Sequence, residues 1–412
     1  MDLLLLISIL VVLCAVFSYL NIRFLKLPPA IGLMLISLVC SILVIVESKI
    51  SNTFYHQIES MVKSINFSQA LLNVMLGFLL FAGSLHVNTN DLKKQKVAVL
   101  SFSTISVALS IFFFGSLIWC VFKVFNYPVD YIYCLWFGSL VSPTDPIAVI
   151  GILRKSNMPR EIGATINGES LFNDGIGIVF FVTIRQVIDL GFENLSAFDV
   201  LFLFAREVVG GIGLGLVLGY GAHYLIRKID HYQTEVLISL ALVMGSGLLA
   251  QYLHVSGPLA VIVIGLLLGN KVSKTAMSET TLDYHSKFWE LIDDFLNAIL
   301  FVLIGLQIVI ISFNWIYISI GILAIIFLLI SRYLSLSIPI LFLKDKKLFN
   351  ARTAILMTWG GLRGGLSVAL TLSLPDSPYK NAIVSITYII VIFSILVQGL
   401  TTGKLAERIY KS

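Results

Sequence analysis

Hydrophobic positions in this chain come in long runs bounded by short polar segments, with no sustained alternation. Thirteen such runs lie near 2–20, 28–46, 68–87, 97–122, 130–152, 163–188, 198–226, 233–253, 256–269, 288–312, 314–342, 351–374 and 381–403. Most approach or exceed the roughly 20 residues that a helix needs to cross a hydrocarbon core of about 30 Å. Lipid-facing backbone must satisfy its own hydrogen bonds, which leaves helices or closed barrels, and the alternating strands of a barrel are missing. The pattern therefore predicts an all-α polytopic membrane protein of about 13 transmembrane helices, numbered here as spans one to thirteen. The first run, MDLLLLISILVVL, has neither the basic n-region nor the cleavage site of a signal peptide and reads as a retained span.

Basic residues orient the spans, because Lys and Arg accumulate in short cytoplasmic loops. The loops after odd-numbered spans, with the C-terminus, hold twenty, from Arg23 and Lys26 to Arg408 and Lys411, against four in the opposite loops, Lys49, Lys63, Lys123 and Lys380. The N-terminus is expected outside and the C-terminus in the cytoplasm of a cell (inner) membrane. The net charge of +5 is then a topology signal, and no nucleic-acid partner is implied. Composition agrees, with 58% hydrophobic and 12% charged residues over 412 positions, outside the range of soluble domains. Residues 1–412 read as one membrane domain without a soluble part, and 270–287 as its longest cytoplasmic loop. Cys14, Cys40, Cys120 and Cys134 have no metal-ligand spacing and read as packing residues.

Ionisable groups at membrane depth cost about 2.5–3.5 kcal/mol each on insertion scales, so each is a functional candidate. Asp145, Glu169, Asp174, Arg206, Glu207, Arg332 and Arg363 fall inside spans, whereas Arg185, Glu235, Glu290, Asp293 and Asp294 lie nearer span ends, within snorkelling distance of the headgroups. Span five reads YIYCLWFGSLVSPTDPIAVIGIL. Pro143 and Pro146 flank Thr144 and Asp145, each removing a backbone donor, so a broken helix with freed carbonyls beside a carboxylate is expected there. Hard oxygens of this kind suit a small alkali cation.

Span six reads GATINGESLFNDGIGIVFF. Glu169 with Asn173, and Ser170 with Asp174, form i, i+4 pairs on one polar face. Ser170 and Asn173 can offer neutral oxygens, and Asp174 can hold a proton or a cation but not easily both. Span twelve carries two Gly-Gly pairs around Leu362 and Arg363. Each glycine lowers helix propensity by about 0.8–1 kcal/mol, so unwinding is expected, with Arg363 capping freed carbonyls or pairing with an acid. Glu169 is the expected partner, being the intramembrane acid least needed for ion binding.

Inverted-repeat transporters place interrupted helices at corresponding positions of their two halves. With repeat one at about 1–190, a linker helix at about 198–226 and repeat two at about 233–406, the breaks in spans five and twelve each fall in the fifth helix of a unit. They are expected to cross near the bilayer midplane beside Asp174.

The segments SPTDP at 142–146, GESLFNDG at 168–175 and TWGGLRGGLSVAL at 358–370 resemble the NhaP-type branch of the monovalent cation:proton antiporters, the group that includes the eukaryotic sodium/proton exchangers. The resemblance covers essentially the whole membrane-embedded chain. It implies the NhaA/NapA-like fold of inverted repeats with two crossing broken helices, and a homodimer whose core moves against a dimerisation domain in an elevator-like motion. It further implies that Asp174 exchanges the proton and cation, that Asp145, Thr144, Ser170 and Asn173 surround the ion, and that Glu169 pairs with Arg363. One site carrying either one cation or one proton predicts electroneutral exchange. Sodium or lithium is the expected cation and potassium the alternative; no cofactor is implied, and lipid is the only other partner. Ala82 and Gln307 stand where many or some relatives have an acid, so no accessory acid is expected there. A channel or membrane sensor is the remote alternative, but two broken helices around a titratable acid suit occlusion better than a continuous pore. No zinc-protease or nucleophile-base pattern points to an enzyme.

Overall fold

The computed structural model describes residues 3–47, 52–64, 66–145, 158–191, 195–311, 314–343, 345–346 and 348–410. Among these the chain is helical, and its only β-type contact is an isolated antiparallel bridge between Asp145 and Leu362. All thirteen apolar runs carry helix. Among the described residues ten helices are long and apolar enough to cross a membrane, and the shorter apolar helices Tyr131–Val141 and Gly257–Asn270 occupy spans five and nine. Span twelve is divided into Ala351–Gly360 and Gly365–Leu372. The second half of span five, with Pro146, lies outside the described residues.

Two polar stretches hold more structure than their composition suggests. The segment between spans two and three contains the amphipathic helix Asn52–Ser64. The stretch 270–287, expected as a loop, is largely helical, because Ser278 caps a helix running Glu279–Gln307 and accepts a hydrogen bond from the Thr281 amide at 3.3 Å. That cap satisfies an orphan donor and Glu279 complements the positive helix end, so span ten begins well before its apolar run. Ser196 and Asp199 form a reciprocal capping box at the start of span seven.

Span six, Arg160–Leu190, is the centre of the packing. Its Ile162 and Ile166 join an apolar cluster with spans one, two, ten and twelve; Leu171, Ile176 and Val179 join a second with spans three and nine; Phe181 joins a third with spans four, five, eleven and thirteen. Lipid tails give little hydrophobic drive for helix association, so close approach of small residues matters more. A Cβ on Gly177 would lie 2.5 Å from Pro143 Cγ, so only glycine lets span six reach the break in span five. Spans seven and eight are the contrast: the larger part of their surfaces faces outward, with Val209, Val217, Leu237 and Leu248 exposed.

Two charges sit differently from their sequence positions, and Arg332 sits inside its span as expected. Glu235, expected to reach the headgroups, is fully buried, although Tyr232, Gln233 and Thr234 beside it in the first turn of span eight are exposed. Arg206 is exposed and donates to the Leu253 carbonyl at 3.1 Å, so it caps the end of span eight. Arg332 is 1% exposed in the middle of span eleven.

Candidate functional site at the crossing of two interrupted spans

Span five leaves the helix after Val141, where Pro143 has no amide to continue the ladder. Span twelve leaves it at Gly361–Gly364. The two breaks touch: the Asp145 amide donates to the Leu362 carbonyl at 2.8 Å, so backbone groups orphaned in one helix are met by the other. Gly364 permits the crossing, since a Cβ there would lie 2.9 Å from Asp145 Oδ2.

Arg363 is buried at this junction. Its Nε donates to the Val141 carbonyl at 2.6 Å, its Nη1 to the Gly361 carbonyl, and its amide to Ser394 Oγ at 2.8 Å. The guanidinium thus caps the C-terminal end of the first half of span five, a cationic group where the helix dipole is negative. This is the capping role expected of it, but the expected ion pair is not formed. Glu169 Oε1 instead receives Arg332 Nη2 at 2.6 Å, both side chains fully buried. Arg363 feels the charges of Glu169 and Arg332, yet its Nε and Nη1 are spent on carbonyls and its Nη2 has no partner among the described residues, while Arg332 enters from span eleven at the level of Glu169. The buried pair is therefore Glu169–Arg332.

The polar face of span six forms as its spacing predicts. Asn173 Nδ2 donates to Glu169 Oε1 at 2.9 Å and to Thr144 Oγ1 at 2.5 Å, and Asn173 Oδ1 accepts from the Thr144 amide at 3.4 Å. Ser170 Oγ donates to the Thr144 carbonyl. Span six is thereby bonded through side chains to the unwound backbone of span five.

A cavity of about 190 Å³ opens beside this junction. Asp145, Asp174 and Ser170 line it, together with Asn167, Asn297 and Ser367, which the sequence did not single out. Thr144 and Asn173, 2% and 0% exposed, stand behind the wall and are bonded to each other. Two carboxylates, a hydroxyl and amide oxygens in a confined space can coordinate a dehydrated alkali cation, and a carboxylate at membrane depth can alternatively carry a proton.

Residues 9–408 match the family described as "Sodium/hydrogen exchanger, transmembrane". The chain is 44% identical to the Na(+)/H(+) antiporter NhaP of Pseudomonas aeruginosa over 410 residues, covering 98% of this chain and 96% of that one. It is 32% identical to the Na(+)/H(+) antiporter NhaH of Halobacillus aidingensis, over 94% of this chain and 93% of that one. The sodium proton antiporter MjNhaP1 of Methanocaldococcus jannaschii has a similar fold, with a TM-score of 0.76 at 21% identity over 98% of this chain and 99% of that one. A family match across nearly the whole chain, close relatives of the same length and a shared fold establish this chain as a member of the transmembrane sodium/hydrogen exchanger family.

Proposed function

We propose that this protein exchanges sodium or lithium for protons, one for one, at Asp174. The observation that carries the reading is a cavity at the crossing of the two interrupted spans, which Asp145, Asp174 and Ser170 line. Asp174 binds either a proton or a cation, Asp145 and Ser170 supply further oxygens to the cation, and Thr144 and Asn173 hold these groups in place. Because the carrier leaves each side with one positive charge, exchange is electroneutral. Relatives named for sodium favour that ion over potassium.

Alternating access follows from an inverted-repeat plan, repeat one at about 1–190 and repeat two at about 233–406 joined by span seven, in a core that moves elevator-like against a dimerisation domain. The exposed apolar faces of spans seven and eight suit contact with lipid or with a second copy in a homodimer. The basic loops favour an inner membrane with the C-terminus in the cytoplasm. Proton flux in proteoliposomes, with sodium, lithium and potassium chloride added in turn, tests the reading: sodium and lithium are expected to release protons saturably, without response to a clamped membrane potential. A potassium response alone, or flux that follows voltage, would overturn it.

A further inference from the structure

Part of the cavity lining comes from spans ten and twelve and has no role in the exchange scheme above. On span ten, Asn297 is 8% exposed and lines the cavity, and its Oδ1 has no hydrogen-bond partner among the described residues. Its orientation is fixed: Nδ2 donates at 3.1 Å to Asp293 Oδ1, one turn earlier on the same helix. With Asp293 Oδ1 accepting from the amide NH₂, the Asn297 carbonyl oxygen is left unspent. On span twelve, Ser367 is 1% exposed and also lines the cavity, and its Oγ is likewise without a partner among the described residues. The two helices meet at this level, where Leu300 packs against Gly365.

Buried polar atoms are nearly always hydrogen-bonded, so two unspent oxygens on one small cavity call for an occupant that brings positive charge or donors. We propose that Asn297 Oδ1 and Ser367 Oγ are additional neutral ligands for the transported alkali cation, and that Asp293 is a positioning residue that aims the Asn297 amide into the cavity. This rests on the exchange reading and extends it from the face of spans five and six to that of spans ten and twelve. Neutral oxygens replace part of the ion's hydration shell without adding charge, and their number and field strength set which alkali ion is favoured.

The test is proton flux from the full chain in proteoliposomes, titrated with sodium chloride and then lithium chloride. Asn297→Ala and Ser367→Ala are each expected to raise the apparent KM for sodium by about fivefold or more, with a smaller fall in maximal rate, and to change the sodium-to-lithium ratio of KM. Ser367→Thr keeps the hydroxyl and should restore a near-native KM. Asp293→Asn should raise KM by less, because an amide oxygen can still accept from Asn297. Calorimetric titration of sodium chloride into the detergent-solubilised variants should show the same loss of affinity without turnover. Ser367→Ala removes one oxygen only, so it decides the matter if Asn297→Ala folds poorly. Folded variants with native KM and native sodium binding would overturn the inference while leaving exchange at Asp174 intact. A wild-type chain that moves no protons on sodium addition would remove both.

Discussion

Span five leaves the helix at Pro143 and places a carboxylate, Asp145, just beyond it; span twelve breaks at glycines and places a guanidinium, Arg363, in its break. The first break turns a side chain toward the cavity, whereas the second spends its side chain on the carbonyls of Val141 and Gly361. Both face the same difficulty, that a helix interrupted at membrane depth orphans backbone groups. Proline forces the interruption, so the orphaned carbonyls of span five need outside donors, and Arg363 brings one. Glycine permits interruption and close approach, so span twelve can lend the Leu362 carbonyl to the Asp145 amide. One break offers ligands; the other supports it.

The comparison breaks most completely at Asp174, which faces the cavity from the helix that ties to span five. Asp174→Asn keeps side-chain size but cannot trade a proton for a cation, so sodium-driven proton flux should fall at least about a hundredfold with folded protein retained. Substantial residual exchange would shift the carrier role to Asp145.

Supporting charges should behave differently. Glu169→Gln or Arg332→Gln leaves a buried charge uncompensated at a cost of about 3–5 kcal/mol, and should reduce folded yield and thermal stability more than the Glu169→Gln/Arg332→Gln double. Arg363→Gln should also destabilise, through lost capping, but without comparable coupling to Glu169→Gln. A thermal double-mutant cycle checks this; coupling that appears with Arg363 and not with Arg332 would reverse the assignment of the pair.

The cavity face of span six should also respond to pH. If proton and cation compete at Asp174, protonation on the acid side of its titration excludes the cation, and the apparent KM for sodium should rise by up to about tenfold per pH unit as pH falls. Raising sodium should recover transport there. A constant KM with a changing maximal rate would mean a separate pH sensor. The smallest effect is expected at the crossing itself: Gly364→Ala pushes a methyl group toward Asp145 Oδ2 and should raise KM by about two- to fivefold with folding preserved. The matching test at Gly177, which abuts Pro143, should affect folded yield before it affects KM.

The residues themselves determined the thirteen spans, the places where two of them break and the polar face of span six. Each of these depends on local causes: run length against bilayer thickness, proline's missing amide, glycine's weak helix propensity and the 3.6-residue turn that brings Glu169 under Asn173. Only the tertiary structure decided which arginine meets Glu169. Arg332 and Arg363 are both intramembrane cations of the same type, and the choice depends on helix rotation and depth, which no spacing within one span encodes. The same holds for Asn297 and Ser367, polar residues that become cavity walls because spans ten and twelve meet beside Asp174. One signal was present in the chain, the i, i+4 spacing of Asp293 and Asn297, but the face to which it pointed was set by packing. The burial of Glu235 and the early start of span ten at a Ser278 cap are likewise features on which apolar run length carries no information.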